Sequence, residues 1–150
     1  MKILMVCLGN ICRSPLAEGI MKNKIETLGL PWQVDSAGTG NYHEGELPDR
    51  RSISVAKKYG IDITYQRARQ FQIEDYHNFD LILVMDKSNY QNVIQLAQNE
   101  TDKKKVSLIL DYSDLTLHEV PDPYWDDNGF EAVYQMLDEA CDQILLKYNS

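Results

Sequence analysis

The chain has 150 residues, 43% of them hydrophobic and 25% charged, with a formal net charge of −8. That length suits one domain, 1–150, with a single sizeable core. So acidic a balance argues against a nucleic-acid binder, whose affinity rests on Lys and Arg neutralising phosphates. No apolar run approaches the roughly 18 residues that a membrane-spanning helix needs. Met1 and Lys2 lead straight into an apolar strand, too little for a signal peptide. Three cysteines without the spacing of a disulfide framework suggest a reducing compartment, and hence the cytoplasm.

Residues 2–7 read as a strand buried on both faces, because their apolar character is nearly continuous. From 15 to about 28, Leu16, Ala17, Ile20, Met21, Ile25 and Leu28 recur at helical spacing. Ser14 is placed to cap that helix and Gly29 to close it. A short second strand covers 32–37, and Gly38, Gly40 and Gly45 then mark a loop. A second helix opens at Pro48 and stops at Gly60. Residues 61–70 are irregular, and a helical turn fits 72–76. The clearest buried strand is 81–85; a helix starts at Asp86, with Tyr90, Val93, Ile94 and Ala97 on one face. After the polar stretch 98–105, a fourth strand spans 106–110. The connection that follows, of about 16 residues, is long enough to suggest a functional loop. The last helix, from about 128 to 147, aligns Phe130, Val133, Tyr134, Leu137, Cys141, Ile144 and Tyr148, with Asp126 and Asp127 as candidate caps. Strands alternating with helices predict an α/β fold: a four-stranded parallel sheet with helices on both faces and ligands at the strands' carboxyl ends.

The densest chemistry lies where the first strand runs out: Cys7-Leu8-Gly9-Asn10-Ile11-Cys12-Arg13-Ser14, then Pro15. A strand, a tight loop and a helix N-terminus form the geometry in which backbone N–H groups converge on an anion. Gly9 and Asn10 tolerate the left-handed backbone such a loop requires. A thiol at Cys7 would feel the helix terminus and the guanidinium of Arg13, both of which favour the thiolate. Arg13 offers a planar fork for two phosphate oxygens, which Lys could not. A cysteine ending a buried strand can also be mere packing. The Gly-Asn loop, the Arg and the Ser-Pro helix start shift the balance to a nucleophile inside an oxyanion cradle.

The stretch Val6-Cys7-Leu8-Gly9-Asn10-Ile11-Cys12-Arg13-Ser14-Pro15-Leu16-Ala17-Glu18 resembles the signature of low-molecular-weight protein tyrosine phosphatases, C-x5-R-[ST]. It matches every fixed position of the longer form, V-C-x-G-N-x-C-R-S-P. A second family mark, an Asp-Pro pair near the C-terminus, stands at Asp122-Pro123. The resemblance implies a strand order of 2-1-3-4 in a three-layer αβα fold. It implies hydrolysis of phosphotyrosine without a cofactor, with Cys7 attacking phosphorus. Leu8, Gly9, Asn10, Ile11, Cys12, Arg13 and Ser14 would hold the phosphate. Asp122 would protonate the leaving phenoxide and later deprotonate water, its proton retained through burial and the phosphate dianion. Phosphotyrosine-containing proteins would be the partners, inorganic phosphate or vanadate would inhibit, and the protein would be a monomer or weak dimer.

Ser14 can also donate to the Cys7 sulfur, helping it leave in the second step. By resemblance, Ser36 braces Asn10, and Gln66 stands where many relatives carry a His in the same brace; a Gln amide can both donate and accept. Also by resemblance, Tyr124 and Trp125 line a cleft wall, where two flat rings suit a phenyl group. Tyr42 is a candidate for the opposite wall. Relatives acting on phosphoarginine carry Thr where this chain has Ile11, whose side chain suits an aryl ester better. Cys12 reads as a reversible disulfide partner protecting Cys7, and Cys141 as core. His43, His77 and His118 have no metal spacing, so no metal is expected. Asp86 with Asn89 reads as a helix cap. An arsenate reductase is the nearest rival, but it would need further cysteines, and 80–100 contains none. A non-catalytic phosphotyrosine-binding module would be expected to lack nucleophile or acid, and this chain has both. The nucleotide-binding motif G-x-x-x-x-G-K-[ST] is absent.

Overall fold

The apolar runs become the centre of a parallel sheet in the computed structural model, which describes residues 1–149. Strands β1 (Lys2–Cys7), β2 (Gln33–Gly38), β3 (Leu81–Val84) and β4 (Val106–Leu108) are ordered β2-β1-β3-β4, and every pairing is parallel. Side chains alternate across a strand, so β1 feeds two cores. Ile3, Met5 and Cys7 join Leu83 in a core with Leu16, Ile20, Leu137 and Ile144. Those partners belong to helices α1 (Arg13–Leu28) and α6 (Phe130–Tyr148). Leu4 and Val6 face the other way, onto Ile82, Val84, Phe71, Tyr76 and Val93. That second layer comprises the short helix α3 (Asp75–Asn78) and α4 (Lys87–Ile94). Helix α2 (Arg50–Lys58) packs beside α1 and α6. The result is a three-layer αβα arrangement with β1 in its middle. Because the chain leaves β1 toward β2 and later returns to β3 on the other side, the crevice at the end of β1 is a topological switch point.

Several boundaries differ from expectation, each for a local reason. Helix α1 starts at Arg13, not Pro15, and Ser14 does not cap it; the position before the helix belongs to Cys12, and the Ser14 hydroxyl is engaged elsewhere. Pro15 still falls in the first turn, where a missing N–H costs nothing. Gly29 closes α1 with φ +65°, its N–H reaching Glu26 O at 3.1 Å. Helix α2 opens after Asp49, whose carboxylate accepts from Arg51 N–H at 2.8 Å, rather than at Pro48. A further helix, α5 (Glu100–Lys104), occupies what read as a polar stretch. It has no apolar stripe; Asn99 caps it, accidic residues fill its first turn and lysines its last. β4 stops at Leu108, because Ile109 and Leu110 turn inward in a 3-10 turn (Ile109–Tyr112) that packs on α6. Neither Asp126 nor Asp127 caps α6, whose cap position is Gly129. Asp126 instead accepts from Asn128 N–H at 3.0 Å, and Asp127 pairs with Arg51. Tyr148 lies at the surface, its hydroxyl 3.0 Å from that of Tyr112.

Candidate active site

β1 delivers Cys7, buried, to the carboxyl edge of the sheet at the foot of loop 8–12. Asn10 adopts φ +57°, and its N–H donates to Cys7 Sγ at 3.3 Å. Ser14 Oγ lies 3.0 Å from the same sulfur. Ser14 Oγ accepts from Asn10 Nδ2 at 2.8 Å, which leaves the hydroxyl proton free to be donated to a Cys7 thiolate. The loop is stitched from outside: Thr39 N–H to Cys7 O at 2.8 Å, Gly40 N–H to Leu8 O at 2.9 Å, Asp49 N–H to Ile11 O at 2.7 Å. Among the described residues, the amides of Gly9, Ile11 and Cys12 meet no acceptor in the protein. They remain donors for an anion.

Arg13 is buried in the first turn of α1. Its Nη1 donates to Asp86 Oδ2 at 2.6 Å and to Val120 O at 2.9 Å. Nη2 lies 3.7 Å from Asp122 Oδ2. Burial works against the guanidinium charge, but Cys7, Asp86 and Asp122 more than restore it, so Arg13 is held above its ordinary range. One nitrogen is thus spent on positioning, and the remaining edge of the fork is available to an oxyanion. Asp86 has two tasks: Oδ1 caps α4 through Asn89 N–H at 2.8 Å, and Oδ2 aims Arg13. Only the first was legible in the sequence.

Asp122 opens a 3-10 turn (Pro123–Trp125) and accepts from Tyr124 N–H at 3.1 Å. Its side chain is 38% exposed rather than buried as expected, because it sits on the rim of the cleft. That cleft, of about 260 Å³, is lined by Cys7, Arg13 and Asp122 together with Tyr124, Trp125 and Tyr42. Trp125 is 88% exposed and stands edge-on to Tyr124, with ring centres 4.8 Å apart; Tyr42 is 73% exposed. His43, weighed from the sequence only as a metal ligand, also lines the cleft and pairs through Nδ1 with Glu46 Oε2 at 2.9 Å.

Behind the loop lies a chain of polar groups. Asn10 Nδ2 donates to Ser36 Oγ at 3.0 Å, and Ser36 Oγ donates to Glu18 Oε1 at 2.7 Å. Tyr65 OH donates to Glu18 Oε2 at 2.7 Å, while Asn10 Oδ1 accepts from Arg69 N–H at 3.0 Å. Burial raises the Glu18 carboxyl, against the hydrogen bonds from Ser36 and Tyr65. Gln66 does not touch Asn10: its Nε2 donates to Pro15 O at 3.0 Å and reaches Tyr65 OH at 3.4 Å. Glu18 and Tyr65 were not singled out from the sequence. Glu18 lies four residues beyond Ser14 on one helix face, and that spacing was the available signal. Cys12 and Cys141 are buried free thiols, and burial pushes Cys12 up to about 12.

Residues 2–149 match the family model described as low molecular weight phosphotyrosine protein phosphatase. A Synechocystis protein assigned to the same family is 49% identical, the match covering 97% of this chain and 94% of that protein. The crystal structure of a protein tyrosine phosphatase from Entamoeba histolytica superposes with a TM-score of 0.94 at 39% identity, covering 99% of this chain and 97% of that one. The Drosophila arginine phosphatase DARP superposes equally well, TM-score 0.94, at 33% identity, covering 100% and 99%. On signature, sheet order and whole-chain similarity together, the chain belongs to the low molecular weight protein tyrosine phosphatase family.

Proposed function

We propose that the protein, acting as one domain over 1–150, hydrolyses phosphotyrosine in proteins through a cysteinyl-phosphate. The observation that carries this reading is the meeting of Cys7, Arg13 and Asp122 on one cleft. The Cys7 thiolate attacks phosphorus in line with the aryl oxygen; a P–S bond forms as the P–O bond breaks. The loop amides from Leu8 to Arg13 and the free edge of Arg13 hold the equatorial oxygens as charge spreads over them. Asp122 gives its proton to the departing phenolate. In the second step Asp122 takes a proton from water, the water oxygen bonds to phosphorus, and the thiolate leaves toward the Ser14 hydroxyl 3.0 Å away. No oxidant or metal enters the balance.

Substrate choice follows from the walls. Tyr124 and Trp125 offer flat apolar faces to a phenyl ring, Tyr42 also lines the cleft, and the Ile11 side chain there offers no partner to a guanidino group. That favours an aryl ester over phosphoarginine despite the likeness to DARP. Phosphate and vanadate, as mimics of the transferred group, should compete. With a peroxide as the two-electron oxidant, Cys7 is oxidised to the sulfenic acid and the Cys12 sulfur displaces its hydroxyl as water to form a disulfide, within a cytoplasmic protein that is a monomer or weak dimer. Steady-state assays on aryl phosphates test the assignment. Cys7→Ser should abolish turnover, and Asp122→Ala should lose at least about a hundredfold on a poor leaving group. Unchanged turnover in Cys7→Ser would overturn the nucleophile.

A further inference from the structure

Few hydrogen bonds tie the segment carrying Asp122 to the rest of the protein, although Asp122 Oδ2 lies 3.7 Å from Arg13 Nη2, Pro123 is buried and Tyr124 packs against the core. Val120 N–H donates to Met85 O at 2.8 Å on the upstream side. Beyond it, among the described residues, the hydrogen bonds made by 121–128 close within 121–129, with one exception: Arg51 Nη1 donates to Asp127 Oδ1 at 2.5 Å.

Arg51 stands in the first turn of α2, next to the phosphate loop. Its Nε donates to Asp49 Oδ1 at 3.0 Å and its Nη2 to Asp49 Oδ2 at 2.9 Å, a two-pronged grip. Asp49 is itself fastened to the loop through its N–H on Ile11 O, and the neighbouring Ser52 donates to Cys12 O at 3.2 Å. Arg51 Cζ lies 4.6 Å from the Phe130 ring centre and 5.6 Å from that of Tyr124. The planar guanidinium therefore lies beside Tyr124 within the segment and beside Phe130 at the start of α6, while rooted beside the phosphate cradle.

We infer that Arg51 is a positioning residue, clamping the 121–129 segment to the phosphate loop and so setting where Asp122 stands over Cys7. This rests on the proposed reading of Asp122 as the acid. The plain alternative is a surface ion pair of no consequence, since the Asp127 side chain is 84% exposed and such pairs add little stability. That weakness separates the two: removing the clamp leaves the fold in place and moves a proton donor, and small misplacements of reacting groups are costly to rate.

The test uses kcat/KM, which covers the steps through phenol departure, on 4-nitrophenyl phosphate and on phenyl phosphate, whose leaving group needs the proton more. Arg51→Ala should lose about tenfold more on phenyl phosphate than on 4-nitrophenyl phosphate, the bias that Asp122→Ala shows more strongly, with inhibition by inorganic phosphate within about twofold of wild type. Asp127→Ala, which leaves the Arg51–Asp49 pair intact, should show the same bias to a smaller degree, and it decides the matter alone if Arg51→Ala does not fold. Equal losses on the two esters, or none, would overturn the clamp while Asp122→Ala still shows its bias. Loss of phosphate inhibition in both variants would overturn it in favour of a structural role. Absence of bias in Asp122→Ala itself would remove the acid, and the clamp with it.

Discussion

At the scale of single residues, the Asn10 amide has every group in use: two protons go to Ser14 and Ser36, and the oxygen takes one from Arg69 N–H. These bonds leave the Ser14 hydroxyl proton free for the Cys7 sulfur, 3.0 Å away. Glu18 anchors the far end, and burial raises its carboxyl. The native state therefore keeps a proton that the unfolded chain has released. Stability from this source is complete below the ordinary carboxyl value of 4.5 and is lost as pH rises through the raised native one. Urea unfolding of wild type and Glu18→Gln at a series of pH values checks the sign. The wild-type advantage should shrink as pH climbs from about 4.5, and a flat or growing advantage would refute it. Gln66→His should change kcat/KM by less than about tenfold, ~1.4 kcal/mol, because Gln66 bonds Pro15 O directly and reaches Asn10 only through Tyr65, Glu18 and Ser36. A thousandfold loss in a phosphatase assay would contradict that. Cys7, Arg13 and Ser14 were legible from the sequence because they crowd into eight positions. Glu18, Tyr65 and His43 were not, since their roles arise only once β2 and the loops have closed around them.

At the scale of elements, β2 matters through its last residue. A Cβ on Gly38 would stand 2.7 Å from Leu8 O and 3.1 Å from both Asn10 N and Gly9 C. These are backbone atoms of the phosphate loop and cannot swing aside. Gly38→Ala should leave the sheet folded yet lower both phosphate affinity and kcat/KM by at least about tenfold. Phosphate inhibition constants alongside thermal melts check this, and wild-type affinity in the variant would count against so tight a fit. The strands and long helices could be read from apolar periodicity, which reports burial directly. Helix α5 and the inward turn at Ile109 and Leu110 could not. The first is held by capping and charge without a buried stripe, and the second is an apolar pair whose direction only α6 decides.

At the scale of the molecule, a switch point in the sheet lets distant stretches share one crevice. β1 ends at Cys7 between β2 and β3, the end of β3 leads into Asp86 beside Arg13, and Val120 pairs with Met85 so that the following Asp122 arrives over the cleft. Alternation of strands and helices disclosed the class of fold, whereas the order of the strands came from family resemblance, because pattern alone leaves several parallel orders open. The direct test of the whole reading is to trap the intermediate. Wild-type protein is mixed with excess 4-nitrophenyl phosphate, quenched in denaturant at mildly alkaline pH during turnover, and mapped by mass spectrometry of its peptides. A single phosphoryl group on Cys7, absent along with turnover in Cys7→Ser, is the expected result; steady turnover with Cys7 never labelled would contradict it.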